Sequence, residues 1–336
     1  FELKGTRMSV RIADDAIYTR GTSFRARAEA QQRLFRENIL KAGHDRWGHI
    51  LLPTDANNGL NFAGPGAFEA ARKRQQEGKG VADRTFHNLL SSQAMCFNIF
   101  SLLDLDKDLA ARALSPFFPQ LTAVNEIIIE FTPDEDMFGD QSKFGGVDSD
   151  VYIQGETVDR QTMIILLETK FVEPEFSICG FRKAGRAENK KSVCPDAIQL
   201  GQEMKNCLYT SKKHYSYWKR SLEHNILKKD AVPERGCPFA GPLWQLWVNF
   251  TLAHAVAHSE KAGIACFGVI APAANTRLLG AEHELIPRFK FLLNHPERMV
   301  YIDSDQLIRS IKTHVAEEKL PYTNWADYLE ARYIIR

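Results

Sequence analysis

A strand, a turn and a second strand follow one another near the middle of the chain, and this segment limits the possible folds most. The runs 151–153 and 163–167 are apolar and β-branched, and the turn-prone segment GETVDR separates them. This pattern predicts an antiparallel hairpin centred near Asp159. Because cross-strand partners keep a constant sum of residue numbers, we expect Asp150 to lie opposite Glu168.

Three ionisable side chains at the end of this hairpin form a candidate site. Glu168 and Lys170 project to one side because side chains alternate along a strand, and Asp150 is expected beside them. Carboxylate oxygens suit Mg²⁺, which also takes water and substrate phosphate oxygens, and Mn²⁺ can take its place. The ammonium group of Lys170 can position or help to deprotonate an attacking water and offset negative charge. The trio therefore predicts metal-dependent hydrolysis of phosphodiester bonds.

The spacing of Asp150 and the Glu168-Thr169-Lys170 triplet resembles the signature of the PD-(D/E)XK nuclease superfamily. The surrounding sequence is similar to one bacterial branch of restriction-endonuclease-like proteins, at LSSQ (90–93), CFN (96–98), ETKFVE (168–173), QLW (245–247) and RY (332–333). The resemblance implies an α/β fold of the restriction-endonuclease-like type, with a mixed β-sheet core flanked by helices. It also implies Mg²⁺-dependent cleavage, with Asp150 and Glu168 as metal ligands and Lys170 as the catalytic lysine.

Several further side chains are candidates for accessory roles. The first motif reads Val-Asp-Ser-Asp rather than Pro-Asp, so Asp148 is an alternative to Asp150 or shares the metal with it. Glu173 and Glu130 are possible additional carboxylates. In the resembling family a helix near Gln245 packs beside the active centre, so Gln245 either contacts the site or only packs there. Gln245 and Asn249 share one helical face. The alternative for the whole motif is a solvated Glu–Lys pair on a sheet edge.

The chain divides into a helical first part and a later part that contains the strands. Helical spacing of apolar residues at 23–41 and 83–100 predicts a helical N-terminal elaboration, residues 8–120, packed on the core. Residues 121–336 are predicted to form the nuclease core, with a basic insertion at about 181–230, a buried strand at 264–270 and a terminal helix at 305–315. Residues 1–7 precede Met8 and are expected to derive from an expression vector.

Charge is balanced overall, so a nucleic-acid surface must come from local clusters. The 336 residues include 43 basic and 42 acidic ones, but residues 181–230 contain 12 basic and 5 acidic ones, among Tyr209, Tyr215, Tyr217 and Trp218. Basic groups beside aromatic rings hold phosphates and stack unpaired bases, although a solvated helical face has the same composition. The candidate nucleic-acid contacts are Arg182, Lys183, Arg186, Lys190, Lys191, Lys212 and Lys213.

Cysteine and histidine spacing argues against other metal chemistry. Cys179, Cys194, Cys207 and Cys237 lack close C-x₂-C pairs, so free thiols are expected rather than zinc or an iron–sulfur cluster. His254 and His258 lack the intervening Glu of a zinc motif. The segment 237–259 has no charged residue, but its polar groups favour a buried helix over a membrane span. Thiols without a secretory leader suggest a cytoplasmic protein.

These observations lead to one functional hypothesis and two alternatives. The hypothesis is a Mg²⁺-dependent endodeoxyribonuclease in bacterial defence, acting as a homodimer or with a partner of a defence complex, and with no membrane association. The first alternative is a catalytically inactive nucleic-acid-binding or scaffold subunit, which predicts binding without cleavage. The second is a ribonuclease that uses the same metal site. Such an enzyme would differ from a deoxyribonuclease only in its contacts to the substrate.

Overall fold

The central feature of the fold is a five-stranded mixed sheet in the order β1-β2-β3-β4-β5. The structure is a computed structural model that describes residues 23–140, 146–181, 206–228 and 237–336. The strands are β1 Leu121–Phe131, β2 Ser149–Thr157, β3 Thr162–Thr169, β4 Ile264–Ala271 and β5 Met299–Asp303. The first three are antiparallel, and β3, β4 and β5 are parallel. This architecture confirms the predicted α/β fold with a mixed sheet.

Helices cover both faces of the sheet and make up most of the described chain before β1. That first group contains α1 Phe24–Phe35, α2 Pro53–Asn57, α3 Pro65–Gln76, α4 Arg84–His87, α5 Ser92–Leu105 and α6 Lys107–Leu114, with a π-helical turn at Arg36–Leu40. Between β3 and β4 lie α7 Leu208–Lys213, α8 Tyr217–Glu223 and α9 Leu243–Ser259. The last group contains α10 Thr276–Leu279, α11 Leu285–Phe291, α12 Ser304–Glu317 and α13 Thr323–Tyr333.

Strand β3 shows how the sheet joins two separate hydrophobic clusters. Met163, Ile165 and Leu167 belong to the cluster that contains α5, α6, α12 and α13. Ile164 and Leu166 point the other way, into the cluster that contains α8, α9 and α11. Because side chains alternate along a strand, Glu168 continues the second set and faces α9.

Two helix predictions need correction. Residues 83–100 do not form one helix, because α4 and α5 are separated by a turn in which Asn88 is extended and its side chain accepts a hydrogen bond from Leu90 N. The Ser91 hydroxyl then caps α5 by accepting from Ala94 N at 3.2 Å. The predicted helix at 305–315 exists as α12, but it is not terminal, because α13 follows it.

Other predictions about organisation fall partly outside the described residues. Residues 1–7 and most of the basic insertion, namely 182–205 and 229–230, lie there. The uncharged segment forms α9, which is buried along most of its length as predicted. No helix in the described ranges has both the length and the apolar character needed to cross a membrane.

Buried His254 on α9 gives the fold a predictable sensitivity to acid. Burial, followed by the positive charge of Arg298, lowers its pKa from 6.5 to about 3. Between these values the unfolded chain binds a proton that the folded chain does not, so stability falls as the pH drops below 6.5. At pH 5 the loss is about 2 kcal/mol from this one residue. Urea unfolding at pH 7 and pH 5 should therefore show a smaller acid loss for His254→Phe than for the parent protein.

The matched control for this prediction is His258, which is exposed on the same helix. His258→Phe removes an imidazole without removing a buried one, so its acid dependence should stay close to that of the parent. If the His254→Phe variant and the parent lose the same stability between pH 7 and pH 5, His254 is not the source of the acid sensitivity.

Candidate active site

The hairpin register brings Asp150 and Glu168 to the same end of two neighbouring strands. Val151 pairs with Leu167 and Tyr152 with Leu166, a register that places Asp150 opposite Glu168, as predicted. Thr169 N donates a hydrogen bond to Asp150 Oδ2 at 2.6 Å. The Asp150 carboxylate is therefore held against the end of β3, next to the parallel strand β4.

Glu168 and Lys170 form a largely buried ion pair. Lys170 Nζ lies 2.6 Å from Glu168 Oε1, and the two side chains are only 13% and 6% exposed. Burial alone would lower the pKa of Lys170, but the charges of Glu168 and Asp150 outweigh it and raise that pKa. Lys170 is thus an ammonium group in this arrangement. Its charge suits positioning and charge stabilisation, whereas accepting a proton from water would require the neutral amine.

Two amide side chains from α9 hold the other side of the Glu168 carboxylate. Gln245 Nε2 donates to Glu168 Oε1 at 2.7 Å, and Asn249 Nδ2 donates to Glu168 Oε2 at 2.9 Å. Gln245 Oε1 also accepts from Ser177 N at 3.0 Å. Each carboxylate oxygen therefore has an amide donor, and Glu168 has one fixed orientation. The sequence pattern predicted Gln245 as a residue that contacts the site or only packs there, and it predicted no contact for Asn249. The spacing of four residues between them on an uncharged helix was the available signal.

Glu130 is a third acidic residue at this end of the sheet. It lies on β1 between Ile129, which pairs with Val151, and Phe131, which pairs with Ser149, and therefore faces Asp150 across the strand pair. Glu130 is 7% exposed and its φ is +55°. Within the part of the chain that the structure describes, its Oε1 has no hydrogen-bond partner. Burial, together with the charge of Glu168, raises its pKa to about 7.

The pKa of Asp150 responds to the same surroundings. Burial raises it well above the ordinary value, and the charges of Glu168 and Glu130 raise it further. Three carboxyl groups on three adjacent strands thus lie close enough to repel one another when ionised. Positive charge placed between them would relieve that repulsion.

The other two candidate carboxylates have different surroundings. Asp148 precedes β2 and is partly exposed, and burial raises its pKa while Thr132 and Lys79 act in the opposite direction. Glu173 is tied to protein donors instead: Oε1 accepts from the Ser92 hydroxyl at 2.6 Å and Oε2 from Phe171 N at 2.7 Å. Glu173 therefore fastens the loop after β3 to the first turn of α5.

The donor chemistry of the site fits a hard divalent cation. Mg²⁺ needs only one or two protein carboxylates when water and substrate phosphate complete its ligands, and Asp150 and Glu168 provide that number. Glu130 lies at the same end of the sheet, and its carboxyl group interacts electrostatically with that of Glu168. Among the described residues, no group of three or more His, Cys, Asp or Glu side chains is arranged to hold a metal ion.

The remaining metal and nucleic-acid candidates can be located only in part. Cys179 and Cys207 are buried and Cys237 is partly exposed, whereas Cys194 lies outside the described residues. Lys212 and Lys213 are exposed in α7. The predicted contacts Arg182, Lys183, Arg186, Lys190 and Lys191 lie outside the described part of the chain.

A family model matches a large part of the chain. The family model described as the PD-(D/E)XK nuclease superfamily matches residues 19–208, which is more than half of the chain and includes β2, β3 and the Asp150, Glu168 and Lys170 trio. No curated protein and no solved structure matches.

Proposed function

The chain belongs to the PD-(D/E)XK nuclease superfamily, and from this membership we propose that it is a Mg²⁺-dependent endonuclease that hydrolyses the phosphodiester bonds of DNA. The observation that carries the proposal is the buried Glu168–Lys170 ion pair, with Asp150 beside it on the next strand. This arrangement supplies hard oxygen ligands and a fixed positive charge at one point.

Each group of the trio has a separate task in the proposed reaction. Asp150 and Glu168 would hold the metal ion, which when bound polarises the scissile phosphate and lowers the pKa of a water molecule. Lys170 holds its ammonium group on the same side and offsets the negative charge that develops on the phosphate oxygens. Gln245 and Asn249 keep the Glu168 carboxylate from rotating, which preserves the geometry during turnover.

The first test is a cleavage assay with the purified full chain. Linear and circular duplex DNA, single-stranded DNA and RNA are incubated with Mg²⁺, Mn²⁺ or EDTA, alongside Glu168→Ala. We expect cleavage of circular DNA with either metal, no cleavage in EDTA, and loss of activity in the variant. A Glu168→Ala protein that retains full Mg²⁺-dependent cleavage would refute the proposed site.

The same assay separates the alternatives. Cleavage of RNA but not DNA would make the protein a ribonuclease, and metal-independent binding without cleavage of any polymer would make it a non-catalytic subunit. Mn²⁺ binding followed by electron paramagnetic resonance gives a readout besides activity. Glu168→Ala should weaken Mn²⁺ binding if Glu168 is a ligand.

Further elements of the proposal rest on the resemblance to the bacterial branch, on the cysteines and on the spacing of apolar residues in the sequence. We propose a role in bacterial defence, in the cytoplasm, and a homodimer or a defence-complex partner for cutting both strands. We also propose that residues 8–120 form an elaboration on a core of residues 121–336. Plating of phage on cells with and without Lys170 substitutions tests the defence role, and light scattering tests the dimer.

Asn249 should influence the metal requirement of cleavage. Asn249→Leu removes the amide donor to Glu168 Oε2, 2.9 Å away, without leaving a large void. Loss of such a supporting hydrogen bond typically costs about 10- to 100-fold in activity or metal affinity. We expect a lower rate and a higher half-saturating Mg²⁺ concentration, measured by titrating Mg²⁺ in the cleavage assay.

The control for Asn249 is Asn294, whose amide bonds the loop at Asn225 on a different part of the surface. Asn294→Ala should leave the Mg²⁺ titration unchanged. If Asn249→Leu lowers only the thermal midpoint and leaves the Mg²⁺ dependence intact, Asn249 supports the fold and not the carboxylate.

A further inference from the structure

Three aromatic rings form a stacked row next to the candidate active site. Tyr209 lies between Tyr215 and Trp244, with ring centroids 5.6 and 4.8 Å apart and interplanar angles of 18° and 19°. Tyr217 makes T-shaped contacts with all three rings. We call this row of Tyr215, Tyr209 and Trp244 the aromatic stack.

The aromatic stack differs in exposure from the rings that support it. Tyr217 and Trp247 are buried, and Tyr217 donates a hydrogen bond to Asp140 Oδ2 at 2.9 Å. Tyr215, Tyr209 and Trp244 are each partly exposed. Because Tyr209 is enclosed between the other two rings, a planar ligand would stack on an outer face of Tyr215 or Trp244.

Charge and position indicate what that ligand is. Lys212 and Lys213 are exposed in α7, between Tyr209 and Tyr215 in the chain. Trp244 directly precedes Gln245, whose amide contacts Glu168 at 2.7 Å. The surface therefore combines stacking rings, positive charge and closeness to the carboxylates that would hold the metal ion.

We propose that the aromatic stack and Lys212 and Lys213 bind an unpaired DNA strand, with bases against the rings and phosphates at the lysines. The proposal rests on the proposed nuclease function and adds a substrate class, namely DNA with a single-stranded segment at the site. A duplex keeps its bases stacked on one another and presents mainly phosphate, so it cannot use the rings without being opened.

The test is binding of labelled oligonucleotides to the full chain in EDTA, which separates binding from cleavage. The probes are a thymidine 12-mer, an abasic strand of equal length and a duplex, and binding is followed by fluorescence anisotropy. The 12-mer should bind most tightly. Tyr215→Leu should weaken its binding roughly ten-fold, whereas Tyr215→Phe, which keeps the ring, should bind like the parent.

Two further variants distinguish the rings from the lysines. Replacing Lys212 and Lys213 by Gln should weaken the 12-mer and the abasic strand to the same degree, because both carry phosphates. Trp47→Leu is the matched control: Trp47 is 53% exposed and carries Arg46 over its ring, but lies outside the aromatic stack. This variant should bind all probes like the parent.

Each outcome decides the proposal. Equal affinity for the 12-mer and the abasic strand, or a Tyr215→Leu variant with parental affinity, would overturn it. If the parent cleaves DNA with Mg²⁺ but the ring variants bind normally, the nuclease function stands and the aromatic stack does not take part. If ring-dependent binding is present but no polymer is cleaved, the binding surface stands and the nuclease function fails.

Discussion

Lys170→Met is expected to lower the rate of DNA cleavage by about a hundred- to a thousand-fold, the usual effect of removing one group that stabilises charge in a transition state. The side chain is 13% exposed and its ammonium lies 2.6 Å from Glu168 Oε1. In this low-dielectric environment a positive charge interacts more strongly with the negative charge of the transition state than it would at the surface. Single-turnover cleavage of the labelled DNA that the parent protein cuts, with saturating Mg²⁺, measures the effect on the chemical step.

The variant also disturbs a buried ion pair, so its folding must be measured alongside. The hydrogen bonds that Glu168 accepts from Gln245 and Asn249 do not involve Lys170, which favours retention of the local structure when Lys170 is replaced. Lys107→Met is the surface counterpart, because Lys107 pairs with Asp104 in a more exposed i,i+3 arrangement. It should cleave at the parental rate. A folded Lys170→Met protein that also cleaves at the parental rate would remove Lys170 from the reaction.

The core of the site could be predicted because its geometry is local. Asp150 and Glu168 are separated by a short turn, so strand alternation and hairpin symmetry are enough to bring them together. The position of Lys170 on the same side as Glu168 was predicted from the same alternation of side chains. The structure has the predicted register at all pairs of β2 and β3.

The contacts that hold the site residues in place could not be predicted from the sequence, because they join distant parts of the chain. The amide of Asn249 reaches Glu168 across 81 residues of sequence, and only the packing of α9 on β3 creates that contact. Glu130 has an unusual φ of +55°, a backbone conformation that no side-chain pattern signals. Both features arise from the assembled sheet rather than from local preference.

Strand β5 illustrates the same limit for the fold. Met299–Asp303 is five residues long, and its partly buried pattern lacks clear alternation. Its pairing with β4 is parallel and therefore depends on a long connection between the two strands. A short strand of this kind forms only because it pairs with a neighbouring strand. This explains why the sequence pattern predicted β4 but not β5.

Arg332 in α13 shows how far such long-range contacts contribute to stability. It is fully buried. Its guanidinium donates to the backbone oxygen of Asn61 at 2.6 Å, to Leu89 O at 3.3 Å and to Gln32 Oε1 at 3.3 Å. It also contacts the side chains of Asn61 and Tyr328. Its hydrogen-bond partners among the described residues are neutral oxygens, so the planar guanidinium joins the last helix to three separate segments of the helical first part.

Arg332→Met should therefore destabilise the protein by at least about 3 kcal/mol, because several buried acceptors lose their donor and each costs about 1–3 kcal/mol. Arg332→Lys should also be costly, since one ammonium cannot reach acceptors arranged around a planar fork. Urea unfolding measures both variants. Exposed Arg309 on α12 is the control, and Arg309→Met should change stability by no more than about 0.5 kcal/mol.

The shape of the unfolding curve tests the role of Arg332 further. Arg332 ties α13 to Gln32, Asn61 and Leu89, and α13 and the first helices pack in the same hydrophobic cluster as one face of the sheet. The first part and the sheet should therefore unfold together in one transition. The Arg332→Met variant should shift that transition to lower urea, or split it in two if the helical first part separates from the sheet. Parental stability in Arg332→Met would show that water or neighbouring groups satisfy the acceptors, and that the buried guanidinium does not hold the two parts together.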